Sequence, residues 1–243
     1  MARNLPTSPL SKIDEVQIFP RKGQLYQLRG GGRSGKSMRH FAEAWAAMTL
    51  MNGDYVHWID GACRFNPARI IKCFPHTLAD PEQLLHGLFV GRGFTVHQFS
   101  HLIDRLYSET KITRAKLIVV DGPITMHLDS QINDYEARSL LRKSMNSLAI
   151  IASKFNTSIV VITSLKAYSP RHSTLLTLVG NRCQTSLLGR IRIVQGQKKM
   201  WLLHLPSGNS GYRDQRTEQE TLHESTSRVI HSRLRIEGRE EIE

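Results

Sequence analysis

Two periodicities divide the chain. Near-continuous apolar runs at residues 116–121 (KLIVVD) and 158–164 (SIVVITS), with YVHWID at 55–60, predict strands buried on both faces. Shorter strands are expected at Leu25–Tyr26 and Leu88–Val90. Helical spacing takes over between them. Residues 37–52 put Phe41, Trp45 and Met48 on one side before the stop at Gly53. Thr95 is placed to cap a helix carrying Val96, Phe99, Ile103 and Leu106. Residues 135–155 turn Leu140, Leu141, Met145, Leu148 and Ala152 inward, and short helical pieces fit 67–73 and 81–87. From Leu187 the pattern reads LLGRIRIV, QGQK, KMWLLHL, two strands about a tight turn. Residues 166–185 show no clear period and are expected to form a long loop.

Strands alternating with helices predict an α/β fold: a mostly parallel central sheet flanked by helices, with a C-terminal antiparallel β-hairpin. The expected organisation is an N-terminal extension (1–22), one core (23–208) and a charged C-terminal tail (209–243), in which RVIHSRLRI (228–236) alternates enough for a last edge strand. No stretch approaches the roughly 18 apolar residues of a membrane span, and the first residues lack the apolar segment of a secretory signal. These features lead us to expect a soluble, intracellular protein. Cys63, Cys73 and Cys183 are odd in number and lack CxxC spacing, so packing thiols are expected rather than disulfides or a zinc site.

Charge adds a partner class. The chain carries +12, and eight acids against five arginines follow Arg213, leaving about +15 on the preceding residues. Such a body favours a polyanion, nucleic acid above all, over a merely solvated basic surface.

Residues 30–37 read GGGRSGKS, a complete GxxxxGKS loop after an apolar strand and before an amphipathic helix. Gly30, Gly31, Gly32, Arg33, Ser34 and Gly35 would wrap backbone N–H groups around the phosphates of ATP or GTP. Lys36 would reach the β and γ phosphates, and the Ser37 hydroxyl would ligate Mg2+. A second magnesium group is expected at the end of a nearby apolar strand, where Asp121 closes LIVVD; a plain turn-forming Asp before Gly122-Pro123 is the alternative.

With these residues in place, the chain resembles the RecA/RadA-type recombinase ATPases, particularly the archaeal and eukaryotic strand-exchange branch and its paralogues. The phosphate loop, WIDGACRFNPARI (58–70), GRGFTVHQFSHLI (91–103), LIVVDGPITMHLD (117–129), EARSLLRK (136–143) and SIVVITS follow the family's order over residues 23–205. About 20 residues precede the core, too few for the family's N-terminal DNA-binding domain, so an isolated ATPase core is expected. The resemblance implies ATP and Mg2+ as cofactors, DNA recombination or repair as the setting, and self-association or related recombinase subunits as partners.

Two departures bear on activity. The family's water-activating Glu position is Ala62, and its γ-phosphate-sensing Gln position is Leu165. The expectation is nucleotide binding with slow or absent hydrolysis and no assigned catalytic residue, although Asp60 or Glu136 could replace the base. The resemblance also implies two DNA-facing loops. Residues 126–134 carry acids and no Lys or Arg, whereas 166–185 offer Lys166, Tyr168, Arg171 and Arg182, extended by Arg190 and Arg192 on the next strand. Single-stranded DNA, or DNA without sequence preference, is the expected ligand. An active DNA-stimulated ATPase and a nucleotide-holding scaffold for a recombinase are the alternatives.

Overall fold

A computed structural model describes residues 19–75, 78, 80–194 and 196–214, and the backbone alone at 213 and 214. Among these residues eight strands form one sheet in the order β3-β2-β4-β5-β1-β6-β7-β8. Strands β1 (Leu25–Gly30), β2 (Val56–Asp60), β3 (Leu88–Arg92), β4 (Leu117–Asp121), β5 (Ser158–Ser164) and β6 (Thr185–Val194) are parallel, and β7 (Gln197–Leu205) returns antiparallel to β6. The mostly parallel sheet with its C-terminal hairpin is thus as expected. The hairpin gains a third strand, β8 (Ser210–Asp214), antiparallel to β7 and inside the segment assigned to the tail. The expected edge strand at 228–236 and most of the N-terminal extension lie outside the described residues.

Period-two alternation sorts the core into two layers. Tyr26, Leu28, Val56, Trp58, Leu117, Val119, Val160 and Ile162 face α1 (Arg39–Met51) and α2 (Pro67–Ile71). Leu25, Ile59, Ile118, Val120, Ile159 and Val161 face α4 (Val96–Thr113), α5 (Asp134–Phe155) and α6 (Pro170–Gly180), while the short α3 (Pro81–Leu84) precedes β3. Strands β2, β4 and β5 are buried along their whole length, which is why they read as continuous apolar runs. The same parity puts Asp60 and Asp121, closing β2 and β4, on the α1 side.

Several helix expectations are met. Thr95 accepts a hydrogen bond from Gln98 N–H at the start of α4, whose Val96, Phe99, Ile103 and Leu106 are all buried. In α5, Leu141, Met145, Leu148 and Ala152 are buried and Leu140 is half-buried. Others need correction. Met48 is half exposed, because α1 buries the stripe Phe41, Ala42, Trp45, Ala46 and Leu50 instead. Cys63 and Cys73 are exposed rather than packed; all three thiols are free.

The expected long loop at 166–185 is also corrected, since it contains α6. Ser169 caps that helix by accepting from His172 N–H, Pro170 occupies its first turn, and Leu175, Leu176 and Val179 are buried beneath it. Residues 165–169 remain as a turn after β5, and 181–184 link α6 to β6. His172, itself buried, holds this turn: Tyr168 N–H donates to Nδ1, so Nε2–H donates to Ser164 Oγ, whose hydroxyl donates to Lys166 O.

Candidate functional site

The carboxyl ends of the parallel strands meet at one edge, where ligands bind in open α/β sheets. Gly30 ends β1 there, and its carbonyl accepts from Leu165 N–H at 2.7 Å, tying the phosphate loop to the turn after β5. Gly35 has φ 75°, and a Cβ on it would lie 2.2 Å from Thr163 O, so both backbone conformation and space require glycine. The loop closes through Gly35 N–H to Gly32 O, Ser37 N–H to Gly31 O and Gly31 N–H to Ser37 Oγ at 2.8 Å. Gly31, Gly32, Arg33 and Lys36 are exposed, while Ser34 is buried and Ser37 half-buried. Two cations thus stand at the mouth of a glycine loop that leads through one 3-10 turn (Lys36–Met38) into α1.

The acids behind the loop are spoken for. Arg39, the first residue of α1, donates from Nε to Asp121 Oδ2 at 2.5 Å and from Nη2 to Oδ1 at 3.0 Å. Their side chains are 2% and 0% exposed. Burial pushes the Asp121 carboxyl up, an effect opposed by the hydrogen bonds and charge of Arg39. Asp60, beside Asp121 in register, is engaged equally: Oδ1 accepts from Arg64 N–H, and Oδ2 from Phe65 N–H and from Arg92 Nε at 2.9 Å. The expected magnesium role for Asp121 therefore does not fit its surroundings, since both carboxylate oxygens are committed to a guanidinium and sealed from solvent. Of the expected pair, Ser37 alone is partly exposed, and its Oγ accepts from Gly31 N–H. Among the described residues no group of three or more His, Cys, Asp or Glu could hold a metal ion.

The same bonds remove Asp60 as a replacement base. Glu136, in the first turn of α5, lies 3.6 Å from His97 of α4. Ala62 sits against Gly122, with 2.8 Å between its Cβ and a Cβ built on that glycine, so the position the family gives to its water-activating Glu is beside the end of β4 and carries no acceptor.

On the other face, the predicted nucleic-acid residues separate. Lys166, Tyr168, Arg182 and Arg190 are exposed, and Tyr168 stacks on His172 with ring centroids 5.6 Å apart. Arg171 is withdrawn: Nη1 donates to Asp129 O and Nε lies 3.3 Å from Asp134 Oδ1, so it fastens α6 to the acidic loop. Arg192 lies over the Trp201 ring, 5.5 Å from its centroid.

One residue missing from the sequence reading joins this surface. Arg29 lines a cavity of about 500 Å³ between β1, β6 and α6, together with Leu165, Ala167, Asn181 and Thr185, and among the described residues it is the cavity's only charged lining residue. Its Nε is buried without a hydrogen-bond partner, and burial together with the charge of Arg190 pulls its pKa down. The available signal was a charged residue next to last in a strand, LYQLRG, that leads into the phosphate loop.

His127, fully buried beside this region, donates from Nδ1 to Pro123 O at 2.8 Å, and its Nε2 has no partner. Burial, with the charge of Arg171, lowers its pKa to about 4 against the opposing Pro123 bond. The folded chain therefore binds fewer protons here than the unfolded chain. Stability is full above the ordinary histidine pKa of about 6.5 and falls as pH drops toward 4, by about 3 kcal/mol in all. Denaturant midpoints of wild type and His127→Gln across this range check the assignment: the histidine-specific loss should vanish in the variant.

A phosphate loop on β1, flanking acids on β2 and β4, and this strand order define a RecA-like P-loop ATPase core. Residues 26–179 match the Rad51 family, and the chain belongs to it. Members of this recombinase family act in DNA recombination and repair and in general use ATP with Mg2+. No helix among the described residues is long and apolar enough to cross a membrane.

Proposed function

We propose that this chain is a Rad51-family paralogue that binds ATP on Gly30–Ser37, binds DNA across the surface around Arg29, and hydrolyses ATP slowly or not at all. Residues 23–208, extended through β8, act as its ATPase core, and self-association or assembly with related recombinase subunits is its expected setting. The observation that carries the reading is an open loop with Lys36 at its mouth and, behind it, the two carboxylates that close β2 and β4 both engaged by arginine. Ala62 lacks an acceptor, Asp60 is committed to Arg92 and two amides, and Asp121 to Arg39. General base catalysis contributes about 100 to 10,000-fold, and its loss brings turnover down on that scale. Labelled-ATP binding and hydrolysis, measured with and without single-stranded DNA, test this. Binding without turnover is expected; brisk DNA-stimulated turnover would favour an active ATPase with another base.

DNA binding is supported by a half-buried arginine, its Nε without a hydrogen-bond partner, in a cavity whose described lining residues include no acid. Lys166 lies between lining residues Leu165 and Ala167, and Arg182 between Asn181 and Cys183. Arg29 is half-buried, with its Nε enclosed and without a hydrogen-bond partner, and a phosphate would supply one. If Arg29, Lys166, Arg182 and Arg190 each meet a phosphate, log affinity should fall against log salt with a slope of roughly −3 to −4. Arg29→Gln with Arg190→Gln should flatten it by about 1.5 and weaken all sequences alike. DNA affinity unchanged in that variant would favour the alternative of a nucleotide-holding scaffold that contacts only protein.

A further inference from the structure

We propose that the Arg39–Asp121 pair replaces magnesium at this site, so that the GGGRSGKS loop takes a nucleoside triphosphate without a divalent cation. This rests on the nucleotide reading above.

Parity along β4 turns Asp121 toward α1, and Arg39 opens α1 two residues after Ser37. The guanidinium is therefore delivered to the carboxylate by the fold itself, and the contact is bidentate with both side chains buried. Nη2 also lies 3.5 Å from Ser34 Oγ, which ties the pair to the phosphate loop. Opening such a pair to admit a hydrated ion would leave a buried guanidinium uncompensated.

Mg2+ in nucleotide sites is held by substrate phosphates and one or two carboxylates, directly or through water. Here the carboxylate at the end of β4 is occupied by Arg39, and the neighbouring one at the end of β2 by Arg92 and two backbone amides. Ser37 offers one neutral oxygen, which already accepts from Gly31 N–H.

The electrostatic need for the ion falls with the same substitution. Where a free acid faces the phosphates, a divalent cation offsets their mutual repulsion. With Asp121 and Asp60 each neutralised by an arginine, no uncompensated carboxylate of this pair opposes an incoming triphosphate. Lys36 and the exposed Arg33 supply positive charge at the loop mouth.

The test is equilibrium binding of a fluorescent ATP analogue to the full chain at fixed ionic strength, in magnesium and in excess EDTA. Dissociation constants agreeing within about threefold are expected, and weakening by tenfold or more in EDTA would overturn the inference. Absence of binding in both buffers would sink the nucleotide reading instead, and this proposal with it. Arg39→Gln supplies a second arm. By freeing Asp121 it should make binding magnesium-dependent, so that EDTA weakens the variant by about tenfold or more. A folded Arg39→Gln protein indifferent to EDTA would show that Arg39 does not set the metal requirement. Should the variant not fold, the wild-type comparison decides the matter alone.

Discussion

Replacing Asp121 with Ala should destabilise the chain by about 3–5 kcal/mol, the cost of breaking a buried ion pair from one side. Arg39 would keep its charge, 2% exposed, with the 3.5 Å hydrogen bond to Ser34 and only the more distant charges of Glu43 and Asp60 to offset it. A small domain has about 5–15 kcal/mol in total, so the variant should unfold at much lower denaturant or fail to accumulate. Removing both charges together, as Arg39→Met with Asp121→Leu, should cost far less, because no charge is then left buried without a partner. Urea midpoints with unchanged slopes would report this directly. The contrast matters beyond stability. An acid held open for a metal ion faces solvent and the phosphates, and its removal typically leaves the fold intact. A loss below about 1 kcal/mol in Asp121→Ala would show that Asp121 is solvated and available, against the assignment made here.

Legibility in the sequence followed how local each determinant is. Strands β2, β4 and β5 could be read because burial on both faces leaves apolar runs without alternation, and the GGGRSGKS loop because its conformational requirement is written in its glycines. The α6 helix was obscured although Ser169-Pro170 is a helix-start signal, because the short buried set Leu175, Leu176, Val179 lies among polar residues such as His172, Thr174 and Thr177. His172 is counted polar in any pattern, yet it is buried through hydrogen bonds to Ser164 and Tyr168. Strand β8 gave little apolar signal in SGYRD, being held by backbone pairing to β7.

At the site, residue types were legible but their partners were not. Asp121 closes an apolar strand in the setting of a metal ligand, and nothing in one dimension shows that an arginine 82 positions earlier meets it. The pairing follows only when parity along β4 and the start of α1 are combined in space. Arg171 presents the same limit: a loop cation by composition, it is turned inward to Asp129 and Asp134 by the helix that the pattern concealed. Arg29 reverses the case, an arginine in a strand pattern whose Nε is left without a hydrogen-bond partner beside the α6 cavity.

Lys36→Ala should remove most nucleotide affinity while leaving the fold untouched, which separates the loop's function from its architecture. Lys36 is exposed and outside both core layers, so its truncation creates no cavity. Loop shape is set instead by Gly35 against Thr163 O and by the bonds closing on Gly31 and Gly32, none of which involves the lysine side chain. What is lost is a cation among phosphates, worth about 2–5 kcal/mol for a desolvated charge pair. That corresponds to roughly 30-fold to several-thousand-fold in dissociation constant. With no magnesium to share the charge, the loss should be as large in EDTA as in magnesium, and Lys36→Arg should restore part of it by keeping the charge. Arg33, the other exposed cation of the loop, sets the residual affinity, so Arg33→Ala combined with Lys36→Ala should eliminate binding. Urea midpoints matching wild type would establish that the fold is intact. If the folded Lys36→Ala chain binds nucleotide as tightly as wild type, GGGRSGKS is a structural turn here, and the ATP-binding assignment fails.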